Sequence, residues 1–257
     1  MIGMLLRYKK MPKFFFDAER FDGTHIEMTG ETAHHIINVL RHNLGDEVLL
    51  CDGNCTDYTT RLISCDTYKK ITKIKFEIKE VKKCMNEPHV FVRLCQSVIK
   101  WENFDFAVQK SVEVGVSEIV PIVTKRSIYR ISDVRKKIER FNRIAKSAAE
   151  QSMRGIVPRV MEPVSIDAFI LNAMTTTRDD IGFFASCEEK ITLPRRLENL
   201  KFDKVDLFIG PEGGFSSEET KSLIANSMIP YSLGSRVLRS ETAGIVSIAH
   251  IVLFSER

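Results

Sequence analysis

The stretch IGPEGGFSSEE, Ile209 to Glu219, lies between an apolar run (Val205, Leu207, Phe208, Ile209) and a helix-patterned run (Thr220, Leu223, Ile224). Glycines between a strand and a helix leave free backbone N–H groups at the helix start, a common grip for phosphates and nucleotides. Here they are Gly210, Gly213 and Gly214, which does not fit G-x-G-x-x-G. No Gly-Lys-Ser/Thr follows, so the loop is not a P-loop. Ser216 and Glu219 make S-x-x-E, a capping box that starts the next helix. Glu212 would repel a phosphate. A neutral or cationic ligand suits the loop better, held by backbone that only glycine lets approach closely. A tight strand-to-helix turn with no ligand would show the same pattern.

Upstream and downstream, strand and helix patterns alternate. Strands are predicted at Val90–Ile99, Glu118–Thr124, Ile181–Ser186, Val205–Gly210 and Tyr231–Leu233, and helices at Trp101–Val114, Ser132–Ser152, near Ile166–Met174, from Ser217, and from about Thr242 to Phe254. Such alternation means an α/β fold with a mostly parallel sheet. The helix over 132–152 has Val134, Ile138, Phe141, Ala145 and Ala148 on one face and mainly Arg135, Lys136, Lys137, Arg140 and Arg143 on the other. The last helix is apolar over much of its circumference (Ile245, Val246, Ile248, Ile251, Val252, Leu253, Phe254), so it is either threaded into the core or covered in a dimer.

Residues 13–83 read differently, as short strands with one helix. Lys13–Phe16, Glu47–Cys51, Tyr58–Ile63 and Ile71–Val81 have strand character, Asp52-Gly53-Asn54 is a turn, and His34–Arg41 fits a short helix. Many short strands in about 70 residues point to a small barrel. The polar stretch KKCMNEP, Lys82 to Pro88, is the expected linker, which gives units of 11–83 and 84–257. Met11 opens a second plausible start, MPKFFF, so residues 1–10 read as an extension.

Hydrophobic residues are 44% of the 257 and charged residues 28%, which argues for a globular chain against a disordered one. No apolar run nears the roughly 18 residues of a membrane span, and the start lacks a signal-peptide pattern, so a cytoplasmic location is expected. The net charge of +4 is uneven: residues 100–159 carry +6 and residues 160–257 carry −4. A basic middle beside an acidic end fits either a polyanion-binding face or a solvated helix face. Of the six cysteines only Cys51 and Cys55 are close, with nothing to complete a zinc site, and no metal is expected.

Two further stretches carry charge at critical places. In SLGSRVLRSETAG, Ser232 to Gly244, Arg236, Arg239 and Glu241 crowd the start of the apolar helix, which Ser240-Glu241-Thr242 can cap. Capping leaves the two arginines unexplained, since charges at an apolar helix start are costly unless paired or used. In AAEQSMRGIVP, Ala148 to Pro158, Glu150 and Arg154 are spaced for an i,i+4 salt bridge.

IGPEGGFSSEE followed by LGSRVLRSETA resembles the signature of the RsmE family, bacterial 16S ribosomal RNA uridine N3-methyltransferases of the SPOUT class. The resemblance extends to VQKSVEVGVSEIVPIVTKRS (Val108–Ser127), to AAEQSMR with Pro158, to HHIINVLRHNLGDEVLLCDG (His34–Gly53) and to MPKFFF (Met11–Phe16), which covers nearly the whole chain in order. Val112–Val114 departs conservatively from the family's usual run. The resemblance implies a PUA-like RNA-binding β-barrel over 11–83 and a SPOUT methyltransferase domain with a C-terminal trefoil knot over 84–257, one of the rare exceptions to unknotted topology. It also implies a homodimer.

The cofactor it implies is S-adenosylmethionine, held by Ile209, Gly210, Pro211, Glu212, Gly213 and Gly214, by Leu233, Gly234, Ser235, Val237 and Leu238, and by the strand end at Phe184 and Ala185. The implied substrate is 16S rRNA within the small ribosomal subunit, at a specific uridine, U1498. The uracil N3 carries a proton at neutral pH, so a base or a stabilised anion is needed. Arg236 and Arg154 are the candidates to stabilise that anion. Glu241 or Glu212 would take the proton or orient an arginine; a hydrogen bond within the knot is the other reading of Glu212. N3 lies on the Watson–Crick edge, so the uridine must be unpaired or splayed out. Lys13, Arg41, Lys125, Arg126, Arg130 and Arg154, with Arg135, Lys136 and Arg140, are the expected phosphate contacts. Two other functions share these features: methylation of ribose 2′-O or guanine by the same fold, and RNA binding without catalysis.

Overall fold

Parallel pairing dominates the larger of the two units into which the chain divides. The computed structural model describes residues 11–17, 21–68, 71–127, 133–173, 180–198 and 200–256. The expected extension at 1–10 and Arg130 lie outside them. One unit comprises the chain up to Glu87 together with Ala149–Val157; the other comprises Pro88–Ala148 and Pro158 onward.

The single boundary at 83/84 expected from composition therefore changes in two ways: it moves to Glu87/Pro88, and the segment 149–157 returns to the first unit. Hydrogen bonds hold that segment. The Gly155 carbonyl accepts Cys55 N–H at 3.1 Å. The Glu87 carboxylate accepts the N–H groups of Gly155 and Ile156 at 2.8 and 3.1 Å. Backbone satisfaction of this kind leaves no hydrophobic period to read.

In the first unit a five-stranded sheet runs β1-β3-β4-β5-β2, with β1 Lys13–Phe15, β2 His25–Thr29, β3 Glu47–Cys51, β4 Thr56–Tyr68 and β5 Ile71–Lys83. β1 joins β3 in parallel and the other pairs are antiparallel. β4 and β5 are 13 residues each and bend at two register shifts, Thr59/Thr60 and Leu62/Ser64. The end strands both feed one core: Phe14 from β1 meets Ile26 and Met28 from β2, with Val48, Leu50, Leu62, Ile74 and Phe76. The sheet thus wraps its core. Among the described residues its two ends do not pair, so it is an open version of the expected barrel. Helix α1 (Glu31–His34) runs into a π-turn, His35–Val39, in the stretch predicted as one helix.

The second unit holds a parallel sheet in the order β12-β10-β11-β6-β7-β8, with β9 also on β7. Its strands are β6 Phe91–Ser97, β7 Glu118–Val123, β8 Arg159–Val160, β9 Val164–Ser165, β10 Asp180–Ala185, β11 Lys204–Ile209 and β12 Ile229–Tyr231. Its helices are α2 Trp101–Glu113, α3 Val134–Gln151, α4 Ile166–Ala173, α5 Leu193–Leu197, α6 Ser217–Ala225 and α7 Ser240–Ser255. The central strands are buried on both faces and accordingly read as near-continuous apolar runs, such as VDLFI in β11. α7 packs on β6, β11, α2 and α5, which accounts for its apolar circumference.

The chain leaves β6 for β7 on one side, later lays down β10 two places away on the other, and only then fills the gap with β11. The direction of winding reverses at the β6/β11 pair. Open parallel sheets bind ligands outside the carboxyl ends of their strands, at such a reversal.

Candidate functional site

At that edge β11 ends in the glycine loop. Ile209 closes the strand in the core, Pro211 is buried, and Glu212, Gly213 and Gly214 are exposed. A turn is closed by Gly214 N–H donating to the Pro211 carbonyl at 2.8 Å. Gly214 sits at φ 68°, where a side chain would strain the backbone. A Cβ on Gly210 would lie 3.2 Å from Phe215 N, so the loop folds back on its own backbone there.

The capping box then starts α6. Ser216 Oγ accepts Glu219 N–H at 3.2 Å, and Glu219 Oε2 accepts Ser216 N–H at 2.7 Å. The other oxygen of Glu219 accepts Lys125 N–H at 2.7 Å, which ties the segment after β7 to this loop. Arg126 from the same segment donates to the Gly213 carbonyl at 2.7 Å.

The second loop, Ser232–Arg239, follows β12, which pairs with β10 beside β11. Ser232 N–H donates to Ile191 O at 2.9 Å and Leu193 N–H donates to Ser232 O at 3.1 Å, so the segment after β10 runs alongside. Leu233 and Leu238 are half-buried, whereas Gly234, Ser235, Arg236 and Val237 are exposed. Phe184 is a core residue of β10 edge-on to Phe215, and Ala185 ends the strand, half-buried.

The expected cap of α7 is not formed. Its N-cap is Arg239, with no side-chain cap. Ser240 Oγ instead donates to the Gly210 carbonyl at 2.6 Å and accepts Gln96 Nε2–H at 2.8 Å. Glu241 is buried in the first turn of α7, where a negative charge is favoured by the free N–H groups of the helix start. The exposed Arg236 and Arg239 precede it in the chain.

The residues expected to bind phosphate fare unevenly. Lys13 is 2% exposed, paired with Asp57 at 2.6 Å, and donates to Met153 O at 3.3 Å. That corrects its assignment, because all three residues of β1 are buried and a buried ammonium must be paired where it lies. Arg154 is likewise buried and forks onto Glu87 at 3.2 and 2.5 Å, fixing the 149–157 segment. It is removed from the reacting and phosphate groups alike. Arg126 is exposed but serves the Gly213 carbonyl, and Lys125 is exposed beside Glu218 at 3.7 Å. Arg41 is exposed at φ 59°. On α3, Arg140 forks onto Asp105, Arg135 meets Glu139, and Lys137 lies over Trp101 at 4.6 Å, so this face is laced with local pairs.

Gln96 was missed. It is fully buried at the carboxyl end of β6, and a glutamine inside the apolar run LCQSVI was the available signal.

The residues fit S-adenosylmethionine. The glycine rim presents backbone, its Lys-free sequence offers no phosphate cradle, and the exposed Glu212 carboxylate suits a sulfonium cation.

Comparison with known proteins bears on the family of the whole chain. Residues 86–252 match the RNA methyltransferase domain family and residues 28–81 the RNA methyltransferase PUA domain. The chain is 32% identical over 232 residues to ribosomal RNA small subunit methyltransferase E of Mesomycoplasma hyopneumoniae, covering 90% of this chain and 95% of that one. Identity to the Bacillus subtilis protein of the same name is 30%, over 87% of this chain and 88% of that one. A crystal structure of the Neisseria gonorrhoeae protein of that name, bound to S-adenosyl methionine, superposes with a TM-score of 0.83 at 27% identity, covering 94% of this chain and 96% of that one.

Proposed function

The chain belongs to the family of ribosomal RNA small subunit methyltransferase E, and from that premise we propose that it methylates N3 of one uridine of 16S rRNA. It is an S-adenosylmethionine-dependent methyltransferase of small-subunit ribosomal RNA. The observation that carries the reading is that the 209–214 and 232–239 loops both leave the carboxyl edge of the sheet, after β11 and β12, beside the β6/β11 pair where the strand order reverses.

S-adenosylmethionine supplies an electrophilic methyl carbon for in-line displacement. The protein's part is to hold N3 on line with that carbon, since orientation supplies much of the rate. The backbone of Ile209, Gly210, Pro211, Glu212, Gly213 and Gly214 and that of Leu233, Gly234, Ser235, Val237 and Leu238 would hold the cofactor, together with Phe184 and Ala185 at the end of β10. The methyl would pass from sulfur to N3, leaving S-adenosylhomocysteine, the N3 proton would go to the exposed Glu212 carboxylate, and the exposed Arg236 would stabilise the uracil anion at O2 or O4. Glu241, buried in the first turn of α7, orients that loop. The carboxylate of Glu212 would also offset the positive charge of the sulfonium.

Arg41, Lys125 and Arg126 contact RNA phosphates. The late insertion of β11 between β6 and β10, with α7 packed over β6 and β11, supports the trefoil knot. The exposed Leu253 of α7 and the exposed Val237 support a homodimer, and a cytoplasmic location at the ribosome follows from the substrate. Calorimetry with S-adenosylmethionine tests the site: the wild type binds one equivalent per chain, and Gly214→Val, which strains the loop backbone at φ 68°, weakens binding about 10-fold or more. Equal affinity of the two would remove the loop from the site.

A further inference from the structure

Ser240 reaches the root of the glycine loop from the start of α7. Its hydroxyl has one proton, and the Gly210 carbonyl 2.6 Å away accepts it. The hydroxyl is therefore the acceptor for Gln96 Nε2–H at 2.8 Å. The direction of the chain Gln96, Ser240, Gly210 is fixed by this count of donors. Gln96 is 0% exposed and Ser240 is buried, so the bond between them is shielded from water. Gln96 itself is held in place: a Cβ on Gly244 of α7 would lie 3.0 Å from Gln96 Oε1, so the helix backbone closes directly over the amide.

We infer that Ser240 is a positioning residue for the methyl-transfer reaction, pinning the start of α7 to the glycine loop so that both halves of the cofactor site keep their register. Gln96 sets the direction of the pin. The inference rests on the reading of the two loops as the S-adenosylmethionine site. The pin joins Gly210, at the root of one loop, to the first residue of α7, at the end of the other. Losing it frees the loops to drift apart without removing any group that touches the substrate.

The test is steady-state methylation of small-subunit RNA and calorimetry with S-adenosylmethionine, on wild type, Ser240→Ala, Ser240→Cys and Ser240→Thr. Loss of one buried hydrogen bond predicts that Ala and Cys raise both Kd and KM for the cofactor about 10-fold. Their kcat at saturating cofactor stays within about twofold of wild type, and KM for the RNA stays put. Thr, which keeps the hydroxyl, restores the cofactor KM. Cys nearly matches Ser in size and carries the test if Ala lowers the melting temperature. Wild-type cofactor KM in both Ala and Cys overturns the inference, as does a fall in kcat with KM unchanged. Failure of the wild type itself to bind S-adenosylmethionine would instead overturn the site reading beneath it.

Discussion

Lys13 and Asp57 lie 2.6 Å apart, with the lysine side chain fully buried. Burial pulls the ammonium's pKa down, but the bond to Asp57 and the charge of that carboxylate help outweigh it, and the net shift is upward. The folded value lies above the unfolded one, so the pair stabilises through the neutral range and its contribution is lost only as pH rises past the ordinary 10.5. Lys13→Met leaves the Asp57 carboxylate without its cation and should cost about 3 kcal/mol, measured by urea unfolding at pH 7. An unchanged midpoint, with a shallower salt dependence of RNA binding, would return Lys13 to the phosphate contacts. Arg236→Ala has the opposite signature: stability is kept, cofactor affinity is kept, and kcat falls about 100-fold or more. Cofactor affinity falling with kcat would place Arg236 on the cofactor instead. Among the thiols, burial pushes Cys51 up to about 12 and the fully buried Cys95 well above its ordinary value, while Cys187 is exposed. Brief iodoacetamide treatment of the folded protein should label Cys187 and spare Cys51 and Cys95 in peptide mass analysis.

At the scale of elements, the order of strands and helices was largely legible, because each leaves its own period. The run VDLFI, the alternation in Ile71–Val81 and the apolar face of α3 all became the elements expected. The capping box could be read because its two residues are three apart and its bonds are local. Its further bond, from Glu219 to Lys125 N–H across 94 residues, could not. Glu219→Gln should therefore loosen more than a helix start: a cost of about 1–3 kcal/mol is expected, with faster hydrogen exchange at both Ser216 and Lys125. Protection lost at Ser216 alone would confine the residue to capping. The same distinction separates the misreadings. Lys13, Arg154 and Ser240 were assigned from charge or local spacing, but their partners, Asp57, Glu87, and Gln96 with Gly210, are 44 or more, 67, and 30 or more residues away in the chain. Side-chain chemistry names what a residue can do; only the fold names its partner.

The whole molecule pairs a small unit that matches the RNA methyltransferase PUA domain with a parallel-sheet unit that carries the two loops proposed to hold the cofactor, and the family match spans both. Net charge is only +4, so RNA affinity must come from local basic groups and should fall steeply with salt. The exposed Leu253 at 64% and Val237 at 86% predict a dimer by light scattering, and Leu253→Arg should shift it toward monomer. A wild-type monomer at micromolar concentration would contradict the dimer reading. The central claim is methylation of uracil N3 in 16S rRNA. Its most direct measurement is nucleoside mass analysis of small-subunit rRNA, from a strain lacking the enzyme, after incubation with this protein and S-adenosylmethionine. The account predicts one N3-methyluridine per 16S molecule, present with wild type and nearly absent with Arg236→Ala. A methylated guanosine, a ribose methylation, or no methylated nucleoside at all would contradict it.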